Sequence, residues 1–146
     1  MAYSAWVRRT CEEHGERWAC SYALYVLSQA QRLSGDVRRA AMLATDSLLT
    51  CHAFHDLLGM ANSVELLALF AAERGRAEQA AKLQGGASML WQSVGPQLFG
   101  SAFFGAPHLE CEALARKVLG DAAYKAAFQS GSRLSLDETV SCAVGA

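Results

Sequence analysis

The stretch RLSGDVRRAAML, residues 32–43, is followed by AERGRAEQAAKL, residues 72–83, and the two share a Gly, an Ala pair and a closing Leu. Gly35 pairs with Gly75, Ala40-Ala41 with Ala80-Ala81 and Leu43 with Leu83, an offset of forty. The same offset matches Leu27 with Leu67 and Thr10-Cys11 with Thr50-Cys51. A period between about 20 and 50 residues marks stacked repeats, in which each unit covers an apolar face that its neighbour cannot bury alone.

Each unit reads as two helices. Residues 18–33 carry Leu24, Leu27, Ala30 and Gln31 at three- and four-residue steps, and Gly35 supplies the left-handed turn that ends them. Asp36 stands where an N-cap is wanted, ahead of VRRAAMLATDSLLTCH. Residues 56–74 form the next first helix, closed by Gly75, and residues 76–94 its partner. Gly85-Gly86 inside that partner costs about 1 kcal/mol of helix stability per glycine and marks a close helix crossing. Ala40, Ala41, Ala80 and Ala81 let helix axes approach, while Leu43 and Leu83 fill the grooves beside them.

Composition agrees. The 146 residues suffice for one domain with a core, 52% are apolar, 18% are charged, and only two are proline. A net charge of −1 provides no overall field for nucleic acid or an anionic membrane. The longest apolar run, 66–72, is far short of the roughly 20 residues that cross a bilayer. The N-terminus lacks the apolar core of a signal peptide, so a cytoplasmic location is expected. Five scattered cysteines without a CxxC point to reduced, buried thiols.

Gly35-Asp36-x-x-x-Ala40, with Leu24 and Leu27 upstream, resembles the tetratricopeptide pattern. The second copy matches through Val64, Leu67, Ala68, Gly75 and Ala80, but Arg76 replaces the Asp, and the period is longer than the usual 34. A narrower resemblance rests on Gly15-Glu16-Arg17-Trp18, Ala80-Ala81-Lys82-Leu83-x-Gly85-Gly86-Ala87, Leu119-Gly120 with Tyr124, Phe128 and Gly131, and Leu134-Ser135-Leu136-Asp137-Glu138. That order is similar to the C-terminal helical-repeat domain of large bacterial transcriptional regulators of the LuxR or antibiotic-regulatory class, which carry a signal-transduction ATPase module. The resemblance implies a sensory or protein-interaction arm, with nucleotide and DNA bound by other modules; no GxxxxGK[ST] loop occurs in this chain.

The expected architecture is all-α: a right-handed tetratricopeptide-like array of antiparallel helix pairs, about seven or eight helices in one domain. Residues 1–14 read as the second helix of a truncated repeat, so that the chain reads as an excised fragment or a stand-alone remnant. Repeats follow at 15–54 and 55–94, then a Phe/Gly-rich loop at 95–107 and a C-terminal cap at 108–146. Within the cap, residues 108–119 and 121–129 form a hairpin around Gly120, and Ser135-x-x-Glu138 is a capping box opening a last helix.

The first helices of the two repeats place Tyr22, Tyr25, Gln29, Asn62, Glu65 and Leu69 on the inner face, the expected contact surface for a protein partner or for the other domains of a parent regulator. In the competing reading, that face and Phe99, Phe103 and Phe104 of the loop enclose a small apolar ligand. Residues 3–14 offer an uncovered edge for homodimerisation. Cys51, His52 and His55 from one turn make no closed metal site, and no cofactor is expected. The basic pairs Arg8-Arg9, Arg38-Arg39, Arg74 with Arg76, and Arg116-Lys117 lie near acidic residues, as solvated helix faces do, so direct nucleic-acid and membrane binding are not expected. Adjacent carboxylates at Glu12-Glu13 and Asp137-Glu138 diverge on a helix, and no nucleophile has a base at local spacing, so catalysis is not expected.

Overall fold

The computed structural model describes residues 9, 17–94 and 102–145, with side chains described at 9, 23–94 and 106–145. The described residues form seven helices and no strand: α1 (Arg17–Leu33), α2 (Val37–Ala53), α3 (Leu57–Glu73), α4 (Ala77–Val94), α5 (Ala102–Leu119), α6 (Asp121–Ser132) and α7 (Leu136–Gly145). Apart from Arg9, which is helical, the expected helix at 1–14 and the edge at 3–14 lie outside the described residues.

The first four helices follow one local rule. Three-residue connections join them, and the middle residue of each, Gly35, His55 and Gly75, has a positive φ of 98°, 56° and 81°. Each connection closes with the same two backbone bonds. Asp36, Asp56 and Arg76 donate their N–H groups to the carbonyls of Gln31, Cys51 and Ala71, while Gly35, His55 and Gly75 donate to Arg32, His52 and Ala72. These are Schellman motifs, which satisfy carbonyls that a helix end would otherwise leave without donors. Asp36 and Asp56 then cap the following helices by accepting from the backbone N–H groups of Arg39 and Gly59, each at 3.1 Å. The turn expected at Gly35 therefore recurs at His55, where the sequence carries no glycine to announce it.

Helix α3 is the centre of the molecule. Every residue from 59 to 72 is buried, because α2, α4 and α5 all pack around it. A helix buried on all sides is an interior helix, and Val64, Leu66, Leu67, Leu69 and Phe70 fill the main core together with Leu48, Met60, Leu83 and Trp91. A second cluster, Ala77, Ala81, Ala115, Tyr124 and Ala127, joins α4, α5 and α6.

The crossing of α4 and α6 uses glycine on both sides. A Cβ on Gly85 would run into the carbonyl oxygen of Phe128 and lie 2.8 Å from the nitrogen of Ser132, and one on Gly131 would run into the carbonyl of Lys82. Gly86 faces Thr139 of α7, whose Cγ2 would lie 2.7 Å from an added Cβ. The close crossing anticipated at Gly85-Gly86 is thus present, and its partner is the C-terminal cap.

That cap departs from the expected loop boundary. The loop placed at 95–107 ends earlier, since α5 begins at Ala102 and carries Pro107 in its interior. Proline there gives up one helical hydrogen bond. Its burial, beside Leu66 and Leu69 of α3 and Ala106 of α5, offsets that loss and overrides the local signal. The rest of the expected loop, including Phe99, lies outside the described residues. Helix α7 opens as the sequence indicates: Ser135 Oγ accepts from the Glu138 N–H at 3.1 Å, and the Ser135 N–H donates to Glu138 Oε1 at 2.9 Å. That reciprocal bond holds the Glu138 carboxyl below its ordinary range.

Candidate functional site

The inner face expected from Tyr25, Gln29, Asn62, Glu65 and Leu69 is largely interior. Tyr25, Asn62, Glu65 and Leu69 are buried, with Glu65 only 1% exposed. The reason is topological: α5 packs against both α3 and α4 and covers the stripe that a first helix of a repeat would present. Gln29 remains half-buried, donates from Nε2 to Tyr25 Oη at 3.3 Å, and borders a surface depression with Leu69, Pro107 and Glu110. Tyr22 lies in α1 and Phe103 and Phe104 in α5, but their side chains are outside those described.

Covering that stripe brings an unexpected polar chain together. His108 Nδ1 lies 2.7 Å from Glu65 Oε2, and His108 Nε2 lies 3.3 Å from Glu112 Oε1, one turn along α5. Glu112 Oε2 accepts from Arg116 Nε at 2.9 Å, and Arg116 also donates to Asp121 Oδ1 at 3.0 Å. Acid and base alternate through Glu65, His108, Glu112, Arg116 and Asp121, tying α3 to α5 and α5 to the start of α6.

Gln84 locks the imidazole end of this chain. Its Nε2 donates to the His108 carbonyl oxygen at 2.9 Å, which fixes the amide orientation and turns Oε1 toward Tyr124. The Tyr124 hydroxyl donates to that oxygen at 2.5 Å. Glu65 Oε2, 2.7 Å from His108 Nδ1, can only accept when ionised, so Nδ1 then carries a hydrogen and donates to it.

Burial governs the electrostatics. Removal from water is the main force raising the Glu65 carboxyl above its ordinary value, only partly opposed by the hydrogen bond and charge of His108. Glu65 Oε1 is buried with no hydrogen-bond partner among the described residues. For His108, burial is the largest single influence and lowers its proton affinity. The bond to Glu65 and the charges of Glu65 and Glu112 together outweigh it, so the imidazole is raised overall. Desolvation and then Glu65 push the Tyr25 hydroxyl up to about 12.

Beside this chain lies an open cleft of about 530 Å³ between α4, α5 and α6, lined by Ser88 and Trp91 of α4, His108, Glu112 and Arg116 of α5, and Tyr124 and Phe128 of α6. The Arg116 guanidinium sits 4.3 Å from the centre of the Tyr124 ring. Tyr124 and Phe128 are a tilted pair with ring centres 6.1 Å apart. The cleft volume falls in the range of small-molecule sites.

The chemistry available here is recognition and proton holding. Both ring nitrogens of His108 face carboxylates, so the imidazole presents no lone pair to a hydroxyl such as Ser88, whose own Oγ donates to the Gly85 carbonyl at 2.6 Å. Among the described residues, no group of three His, Cys, Asp or Glu side chains is arranged to hold a metal ion. Cys51 is buried, and His52 pairs with Asp137 of α7 at 3.1 Å. No described helix is long and apolar enough to cross a membrane. Of the basic pairs, Arg116 is taken up by Glu112 and Asp121. Glu73 pairs with Arg32 of α1 at 3.0 Å, and Arg32 also reaches Glu110 at 2.7 Å.

Sequence reasoning passed over Gln84, His108 and Glu112 as a unit. A signal existed: His108, Glu112 and Arg116 recur every four residues and so share one helix face. Nothing local linked that face to Glu65 or Gln84. No family model, no curated protein and no solved structure matches the chain.

Proposed function

We propose that this chain is a non-catalytic sensory or protein-interaction domain of a bacterial transcriptional regulator, built as a tetratricopeptide-like array and acting in the cytoplasm. The observation that carries the reading is the repetition of one turn at Gly35, His55 and Gly75, with like-built helices between, which is how helical-repeat scaffolds are assembled. The sequence resemblance in the Ala80–Ala87 and Leu134–Glu138 segments supplies the regulator assignment. His108, with both nitrogens committed to carboxylates, supports a role other than catalysis. The partner surface is the outer side of α1 and α2, where Val26, Met42 and Leu49 are exposed. A photo-reactive residue placed at Met42 or Leu49 in cells tests this. Crosslinks to an ATPase or DNA-binding module of a regulator are expected, and crosslinks confined to unrelated enzymes would sink the assignment.

A second reading, a small-molecule receptor, is favoured by the aromatic cleft beside Trp91 and Tyr124. In this reading the ligand lies in that cleft rather than on the buried inner face. Both readings fit one sensory arm whose interactions respond to a bound molecule.

A further inference from the structure

We infer that the cleft between α4, α5 and α6 takes a planar aromatic carboxylate of one or two fused rings, an inference that rests on the receptor reading. Shape comes first. Trp91, Tyr124 and Phe128 supply flat apolar walls, and a cavity of about 530 Å³ admits such a ring system. The walls are held in place: Tyr124 is fixed by its 2.5 Å bond to Gln84 and by Arg116 over its ring, and Trp91 is 4% exposed within the main core. A preformed aromatic slot loses little entropy when filled.

Charge then selects the ligand class. Both Glu112 oxygens are engaged, one by Arg116 Nε and the other by His108 Nε2, so neither is open to a ligand. Arg116 is in turn shared between Glu112 and Asp121. Lys125 also lines the cleft, and no acidic partner for it occurs among the described residues. Lys125 is therefore the charged group of the lining that a ligand can engage without displacing an ion pair among the described residues. A ring carrying a carboxylate meets Lys125 while its body lies against Trp91 and Phe128; a ring carrying an ammonium group meets no free acid.

The test uses three probes of one shape, naphthalene-2-carboxylate, naphthalene-2-carboxamide and 2-naphthylmethylammonium, titrated into the full chain by calorimetry with saturation-transfer NMR. The carboxylate is expected to bind tightest, with Lys125→Gln weakening it about fivefold, the scale of an exposed ion pair, and leaving the carboxamide unchanged. Lys125→Glu is expected to reverse the order in favour of the ammonium probe. Lys125 is on the surface, so both variants should fold. Equal binding of all three probes in the cleft would overturn the carboxylate preference while leaving the receptor reading intact. Binding by none would overturn both and leave the protein-interaction reading.

Discussion

Glu65 and His108, separated by 42 intervening positions in the chain, meet at 2.7 Å in the interior and join the central helix to the helix that covers it. Both groups hold their protons more tightly in the folded protein than they ordinarily would. The sign of the pH dependence follows. When the native state binds more protons than the unfolded chain, stability falls as pH rises. The contribution of His108 is fully present below its ordinary value of 6.5 and is lost as pH climbs through the raised native value. Urea midpoints measured from pH 5.5 to 9 are expected to fall, and His108→Asn to flatten the fall above pH 6.5. An unchanged slope in the variant would remove His108 from this role.

Removing the imidazole also leaves Glu65 buried beside no base. Loss of one partner of a buried ion pair costs roughly 3–5 kcal/mol. His108→Ala is therefore expected to lose about 3 kcal/mol at pH 6, where the imidazole carries its charge. Adding Glu65→Gln should recover part of the deficit, and a double-mutant cycle by chemical denaturation checks it.

The α4 and α6 crossing makes a different prediction. An added methyl at Gly131 meets the backbone carbonyl of Lys82, which cannot turn aside as a side chain could. Gly131→Ala is expected to cost about 3 kcal/mol, at the upper end of overpacking effects. Gly145→Ala, where nothing lies within 4 Å, should be close to neutral and serves as the control. Equal unfolding midpoints for the two variants would show that the crossing is looser than the geometry requires.

How far the sequence discloses this architecture depends on what each residue announces locally. Gly35, Asp36 and Ser135 act within their own turns, so their roles could be read directly, and the helix ends they set agree to within a residue or so. Gly85 was legible as a close approach because glycine inside a helix needs a reason, although its contact with Phe128 was not. The site residues were not legible. Glu65 and Asn62 sit on a polar stripe that suggested an open face, and only the return of α5 over α3 turns that stripe inward. Pro107 likewise signals a loop until its burial beside α3 is known.

His55 is the place where the repeating turn is least well served by its residue. Its φ of 56° lies in the left-handed region that costs a residue with a Cβ about 1–2 kcal/mol. Gly35 and Gly75 hold the equivalent positions without that cost. His55 is exposed, so the imidazole contributes little packing that would offset the strain. His55→Gly is expected to raise stability by about 1 kcal/mol, less the entropy that glycine adds to the unfolded chain. Asp56→Ala, which removes the cap on α3 next door, should lower it by about 1 kcal/mol.

The hydroxyl of Tyr124 closes the last link, and its removal separates the site from the scaffold. Tyr124→Phe keeps the ring in the cleft and the Arg116 stack above it, but leaves Gln84 Oε1 buried without its donor. An orphaned buried acceptor costs about 1–3 kcal/mol. Gln84 also holds the His108 carbonyl, so the loss should reach the His108 ring, seen as a change in its titration by NMR. A stability loss in that range with a shifted His108 titration would establish Gln84 as the relay from the cleft to the buried Glu65. A stability loss with the titration unmoved would make it a local packing contact, and the cleft and the buried acid would then be independent.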